Sequence, residues 1–282
     1  MSVHSSLVNS YIPDEMMTIA AARLIQPGCV CFVGIGVPSA AANLARMTRA
    51  PDMVLIYESG AIGTHPSVLP LSIGDGELAE TADAVVPLPE VFSYWLQAGR
   101  IDVGFLGAAQ IDRFGNLNTT VIGGYGKPKT RMPGAGGAPE IAHHAKQIFV
   151  VLKQSPRSFV AQLDFCTSAG FLNGHGERAR RGIPGAGPQG VITDLGVLKP
   201  AAGSQELTLV ARYENVSVDK VRAATGWPLA VADIIDVVAP PTADELRVLR
   251  DLHKRTDIAH AGDARRFRKT PRPSLEQARS IA

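Results

Sequence analysis

A short apolar run at 29–33, the glycine turn Gly34-Ile35-Gly36-Val37-Pro38-Ser39, an alanine-rich stretch to about Met47 and a second apolar run at 53–57 follow one another directly. This order reads as strand, turn, helix, strand: a βαβ unit, which commits the chain to a parallel sheet covered by helices. The run Met53-Val-Leu-Ile-Tyr57 is apolar or aromatic throughout, the mark of a strand buried on both faces. It ends in Glu58-Ser59-Gly60-Ala61-Ile62-Gly63. The carboxylate of Glu58 therefore stands at the C-terminal end of a buried strand, where open α/β sheets place their ligands. Gly60 and Gly63 would let backbone approach whatever it touches.

The remaining pattern extends the same architecture. A helix is predicted over 13–26, beginning Pro13-Asp14-Glu15 and closed by Pro27-Gly28. Further elements are a helix at 88–99, strands at 101–107 and 147–152, and strands around Val191-Ile-Thr and Leu207-Thr-Leu-Val210. Pro241-Thr-Ala-Asp-Glu opens a helix with proline and acids in its first turn. Residues 115–138 and 170–190 are glycine-rich loops, long enough to be functional, the second read as a loop or lid. The expected class is α/β: an open, mostly parallel sheet with helices on both faces. One domain is expected over 1–256, followed by a basic, disordered tail at 257–282.

Charge and cysteine content narrow the options. The net charge is +2, but residues 261–282 hold six Arg/Lys against Asp263 and Glu276, which leaves the rest of the chain at −2. The body carries no electrostatic footprint for nucleic acid. Three cysteines argue for a reducing compartment rather than a disulfide framework, and Cys29 and Cys31, two apart on a strand, read as packed thiols. No run approaches a membrane span, and Met1-Ser-Val-His-Ser-Ser6 is not a leader sequence, so a cytoplasmic protein is expected. No metal is expected: the seven histidines are scattered, and His143-His144 cannot share one helical face. A G-x-S-x-G elbow and a P-loop are both absent.

Two readings of Glu58 remain open on residues alone. Gly34-x-Gly36-x-x-Ser39 with an acid downstream imitates a dinucleotide fingerprint, in which Glu58 would hold a ribose hydroxyl. Against it, the third glycine is Ser39, with Pro38 beside it, and a ribose-binding acid needs no glycines after it. The other reading is a reaction site. Gly134-Ala-Gly136-Gly137-Ala138 is either a flexible turn or a source of backbone N–H donors for an oxyanion. Lys127, Lys129 and Arg131 either meet phosphate or carboxylate or are only solvated. Asp75 and Asp112 read as turn caps.

Taken in order, the segments Gly34-Ile-Gly36-x-Pro38, Glu58-Ser-Gly60, Gly107 to Asn118 and Gly134 to Ala138 resemble the β subunit of family I coenzyme A transferases, from about residue 13 to 255. The stretch from Leu71 to Asp83 favours the members that act on 3-oxoadipate over those that act on glutaconate. The resemblance implies the fold of that family (NagB/RpiA-like) and makes Glu58 a nucleophile. It also implies Gly136 and Gly137 as backbone oxyanion donors, and Gly34, Gly36, Gly60, Lys127, Lys129 and Arg131 as substrate or coenzyme A contacts. It further implies transfer of coenzyme A from succinyl-CoA to 3-oxoadipate in aromatic degradation, through a glutamyl-CoA thioester. No cofactor would be permanently bound, and an α-type subunit would complete an α2β2 heteromer. Some relatives place an asparagine donor two residues before the first loop glycine; here that position is Phe32, which cannot donate. The alternatives are another acid, such as glutaconate or a short 3-oxo acid, or a dinucleotide-binding or non-catalytic binding subunit.

Overall fold

A computed structural model describes residues 10–269. The βαβ unit is present: β1 (Val30–Val33), α2 (Val37–Thr48, following α1 at Pro13–Ala22) and β2 (Val54–Tyr57), with β1 and β2 paired in parallel from Val30↔Val54 to Val33↔Tyr57. Buried Ser39, the alanines at 40–42 and 45, and Leu44 let α2 lie close to its neighbours, because small side chains bring backbones together. Its one buried polar cluster is satisfied within the unit. The Tyr57 hydroxyl lies 2.6 Å from Ser39 Oγ and accepts from Asn43 Nδ2 at 3.3 Å, and burial pushes the phenol up to about 12.

Further strands extend the sheet on both sides. These are β3 (Ala61–Ile62), β4 (Ala84–Val85), β5 (Val103–Leu106), β6 (Gln147–Val151), β7 (Pro188–Ile192), β8 (Gly196–Pro200), β9 (Leu207–Arg212) and β10 (Ala230–Val237). The order is β10-β9-β8-β7-β6-β5-β1-β2-β3-β4. The run from β7 to β2 is parallel throughout, and β9 with β10 is also parallel, whereas β3, β4 and β8 pair antiparallel. The chain leaves β1 toward β2 and then returns to place β5 on β1's other edge. The crevice at such a reversal, outside the carboxyl ends of the strands, is where open α/β sheets bind ligands.

Several elements differ from the sequence reading. The helix expected at 88–99 is a short α-turn, Leu88–Glu90, running into a π-helix, Val91–Leu96, with Gln97 N donating to Phe92 O at 2.8 Å. Strands β8 and β10 carry no clear pattern: β8 opens on glycine and ends on proline, and β10 is a sheet edge whose Asp233, Ile234 and Asp236 face solvent. Charge on an edge strand guards it against further pairing. Disorder was expected from residue 257, yet the helix that starts at Ala243 runs to Lys269. The physical reason is an anchor that spans the expected boundary. Leu69 N donates to Thr256 Oγ1 at 2.9 Å, and His260 Nε2 lies 3.0 Å from Leu69 O. Segments 1–9 and 270–282, including the rest of the basic tail, lie outside the described residues.

The segment at 170–190, read as a loop or lid, is tied down. Asn116 Oδ1 accepts from Gly170 N and Leu172 N, and its Nδ2 donates to Leu172 O. The buried Arg178 guanidinium donates to five backbone carbonyls: Ala142, His143, Ala169, Gly170 and Gly185. With no carboxylate beside it, burial lowers its pKa to about 10. Cys29 and Cys31 are buried thiols, as expected, and burial pushes both up.

Two ion pairs clamp the C-terminal helix to α1 and the turn after it. Arg23 grips Glu245 at 2.8 and 2.7 Å, and Arg250 grips Glu15 at 2.6 and 3.0 Å. Burial raises Glu245, but Arg23 and the Thr242 amide outweigh it, and Arg250 lowers Glu15, so both carboxyls titrate below their ordinary 4.5. A depressed folded-state pKa contributes stability that is present above the unfolded value and lost as pH falls through the folded one. Thermal stability is therefore expected to fall below about pH 4.5, and Glu15→Gln/Glu245→Gln should flatten that loss. These pairs are partly open to water, so the effect is about 1 kcal/mol or less per pair.

Candidate active site

Glu58 is the first residue after β2, half-buried, in a turn closed by Gly60 N donating to Tyr57 O at 3.0 Å. Gly60 has φ +107°, and a Cβ there would stand 1.9 Å from Val86 O. Glycine is required on both counts: the conformation excludes L side chains, and Val86 N donates to Gly60 O at 3.0 Å, holding the two backbones together.

The Glu58 carboxyl lines a cleft of about 210 Å³ built from the carboxyl ends of β1, β2 and β5, where the chain reverses direction. Phe32, Gly34, Phe105, Gly136, Gly137 and Ile141 share the lining. The helix α3 (Ala138–His144) packs against β5 and the π-helix, and this brings Gly136 and Gly137 to Glu58. A Cβ on Gly137 would lie 3.2 Å from Glu58 Cδ and 2.6 Å from Phe92 Cζ; one on Gly136 would lie 3.9 Å from Glu58 Oε2. At Gly137 no side chain fits so close; at Gly136 the contact would be ordinary, and it is the φ of +51° that favours glycine. Among the described residues, neither the Gly136 nor the Gly137 N–H donates to a protein acceptor. Two uncommitted donors beside a carboxyl can hold charge that develops on its oxygen during acyl transfer.

Of the residues singled out from sequence, Glu58, Gly34, Gly136 and Gly137 come together here. Gly36 does not: it caps α2 and borders a separate cavity of about 790 Å³ between α1, the 69–71 segment and the C-terminal helix. That cavity is the larger, but its Glu15 and Arg250 are committed to each other. Gly60 shapes the turn behind Glu58. Lys127, Lys129 and Arg131 are exposed on or beside the ribbon Val121–Ile122/Thr130–Arg131 and do not line the cleft. Asp75 and Asp112 cap turns, as read: Asp75 accepts from Glu77 N and Leu71 N, and Asp112 from Phe114 N, Asn116 N and Asn116 Nδ2. No group of three or more His, Cys, Asp or Glu among the described residues is placed to hold a metal, and no described helix is long and apolar enough to cross a membrane.

Sequence reasoning missed Phe92, Phe105 and Ile141. Phe92 meets Phe32 edge to face at 6.0 Å and lies against Gly137, behind the residues that line the cleft. Nothing in an aromatic run such as Val91-Phe-Ser-Tyr-Trp-Leu96 tells which ring faces a site. Phe32, buried in the floor, offers packing and no hydrogen-bond donor.

A family model described as Coenzyme A transferase matches residues 14–224. The chain belongs to the coenzyme A transferase family.

Among its relatives, the chain is 59% identical to the B-type subunit of 3-oxoadipate CoA-transferase from Pseudomonas knackmussii, over 90% of this chain and 97% of that one. It is 37% identical to the B-type subunit of glutaconate CoA-transferase from Acidaminococcus fermentans, over 83% of this chain and 90% of that one. The crystal structure of glutaconate coenzyme A-transferase from Acidaminococcus fermentans superposes with a TM-score of 0.81 at 34% identity, covering 86% of this chain and 94% of that one. The fold expected from sequence, an open and mostly parallel α/β sheet, is thus the fold of this family. In this coenzyme A transferase chain the fingerprint's third position, Ser39, is spent on the Tyr57 hydroxyl inside the βαβ unit rather than on helix–strand contact by glycine.

The geometry gives a direct test. Gly137→Ala is expected to lower coenzyme A transfer on the order of 10²-fold while leaving the fold intact, because the new methyl must displace Phe92 or the carboxyl of Glu58. Steady-state rates alongside a circular dichroism melt check both halves of that expectation.

Proposed function

We propose that this chain is the B-type subunit of a CoA-transferase that moves coenzyme A from succinyl-CoA to 3-oxoadipate, with Glu58 as nucleophile, and that an A-type subunit completes it as an α2β2 heteromer. The observation that carries the nucleophile assignment is the Glu58 carboxyl at the end of β2, with the uncommitted Gly136 and Gly137 amides beside it. The identity of 59% to the B-type subunit of a 3-oxoadipate CoA-transferase supports the choice of acid.

In the first half-reaction a Glu58 oxygen attacks the thioester carbonyl of succinyl-CoA. The C–S bond breaks, leaving a succinyl–glutamyl anhydride and the CoA thiolate. The thiolate then attacks Glu58 Cδ, the C–O bond to the succinyl group breaks, and succinate departs from a glutamyl-CoA thioester. In the second half a carboxylate oxygen of 3-oxoadipate attacks Cδ and expels the thiolate. The thiolate attacks the oxo acid's activated carbonyl, releasing 3-oxoadipyl-CoA and the free Glu58 carboxylate. Each attack on Cδ places negative charge on a Glu58 oxygen, and the Gly136 and Gly137 amides are the donors assigned to it in this reading. Dividing the exchange into covalent steps conserves the thioester's free energy and lowers each barrier. No resident cofactor takes part; the coenzyme A thioester is a substrate.

The test is to assemble the chain with its A-type subunit, add succinyl-CoA and trap with borohydride or hydroxylamine. Mass spectrometry should find the modification on Glu58; a trapped adduct elsewhere, or none, would sink the assignment and leave a binding subunit. Rates with 3-oxoadipate, glutaconate and acetoacetate decide the acid, with 3-oxoadipate expected to be fastest. Saturable NAD binding would revive the dinucleotide alternative.

A further inference from the structure

The end of α3 remote from Glu58 is held by a buried charge that takes no part in the covalent steps. Arg178 stands in a short helical turn, Glu177–Arg180, inside the glycine-rich 170–190 segment. Its Nη2 donates to Ala142 O at 2.6 Å and to His143 O at 3.2 Å. Gly185 N adds a bond to His143 O at 2.8 Å, and Ala186 N one to Lys146 O at 3.0 Å. The last carbonyls of a helix find no partner within it. Here the 170–190 segment supplies the donors.

Those bonds fix the helix as one body. A guanidinium is a rigid planar fork, and this one also donates from Nε to Gly185 O at 2.6 Å. Its Nη1 donates to Ala169 O and Gly170 O at 3.2 and 2.9 Å, so a single group ties 142–143, 169–170 and 185 together. A Cβ on Gly185 would stand 2.3 Å from Ala145 O, so the segment lies directly on the helix end. On the other side, a Cβ on Gly104 of β5 would stand 2.5 Å from Ile141 Cγ2. The helix α3 is thus clamped between β5 and the 170–190 segment. From Ala142 back to Gly137 is about 7.5 Å of helix, at ~1.5 Å per residue. Over so short a span a shift at one end reaches the other, where Gly137 stands against Glu58.

We propose that Arg178 is a positioning residue for the transfer reaction: by holding the C-terminal carbonyls of α3, it fixes where the Gly136 and Gly137 amides stand relative to Glu58. This rests on the proposed transferase reading, in which those amides serve the Glu58 oxygen. It also gives the 170–190 segment a role other than that of a lid. The segment is a brace, and the arginine is the bolt through it.

The test uses three variants of the assembled two-subunit enzyme. Arg178→Met fills the space without donors, and Arg178→Lys keeps the charge but loses the fork. Gly185→Ala leaves Arg178 in place and pushes on the same helix end through Ala145 O. Since a misplacement of about 1 Å costs on the order of 10²-fold, kcat should fall by that much in Arg178→Met and about tenfold in the other two. KM for succinyl-CoA and for the acid should stay within about twofold, because the substrates are still bound and only the amides have moved. The rate at which the Glu58 adduct forms in a single turnover should fall in step with kcat. A purely structural arginine gives a different result: lower melting temperatures, with kcat per folded enzyme unchanged well below the melt, and that result overturns the proposal. So does a loss that falls on KM alone. Should Arg178→Met fail to assemble, the other two variants decide. The two readings fail in different ways. No Glu58 adduct in the unsubstituted enzyme defeats the nucleophile assignment and takes this proposal with it. A normal adduct there, formed equally fast in Arg178→Lys and Gly185→Ala, defeats only the positioning role.

Discussion

Glu58→Ala, assembled with its A-type subunit, is expected to lose coenzyme A transfer by on the order of 10⁴-fold or more, the scale seen when a covalent nucleophile is removed. The loss should fall on kcat, with substrate binding nearly unchanged, because the carboxyl acts only once bonds begin to form. Glu58 is half-buried and makes no hydrogen bond to protein among the described residues, so its removal should cost little stability. Glu58→Asp makes the test sharper. It keeps the charge but withdraws the carboxyl by roughly one bond from the Gly136 and Gly137 amides, a misplacement of about 1 Å that is enough for some 10²-fold. The expected order of rates is therefore wild type, then Asp, then Ala, with melting temperatures alike. If Ala and wild type exchange coenzyme A equally fast while both remain folded, Glu58 is not the nucleophile.

Gly60→Ala should have the largest effect on stability of any change at the site. Its φ of +107° lies outside the region L residues tolerate, and the new methyl would collide with Val86 O at 1.9 Å. Backbone cannot rotate away as a side chain can, and Val86 N is bonded to Gly60 O, so the turn and the strand β4 must separate. Strain and overpacking together should cost roughly 3–5 kcal/mol. For a chain of this size that lowers the melting temperature by about 10 °C. Gly203→Ala is the control: its φ is +84°, but nothing lies within 4 Å of the added carbon, so strain acts there without collision. A melting temperature for Gly60→Ala equal to that of Gly203→Ala would show that the contact with Val86 does not matter. Activity should fall too, because the turn that loosens is the one that aims Glu58.

Much of this protein could be read locally. Buried strands announce themselves as unbroken apolar runs, and β1, β2, β5 and β6 do so because they lie inside a parallel sheet. The strands that were missed sit toward an edge or open on glycine, where burial no longer imposes a pattern. The end of the C-terminal helix was misplaced for a similar reason: composition turns basic after residue 256, but Leu69, far away in sequence, holds Thr256 and His260 in place. The π-helix was invisible because its helical spacing reads as an ordinary turn, and only packing on α3 distinguishes Phe92 from its aromatic neighbours.

By itself the sequence determined that a carboxylate would stand at the end of a buried strand between glycine-bearing turns. That follows from patterns only a few residues long, namely apolar runs, breakers and the acid between them. What stands opposite that carboxylate was decided by the tertiary structure alone. Gly137 reaches Glu58 because β5 inserts on the far edge of β1 and carries α3 over the crevice, and Phe92 backs Gly137 from another segment. Those contacts join residues far apart in the chain, so no local preference encodes them; they exist only once the sheet has ordered its strands.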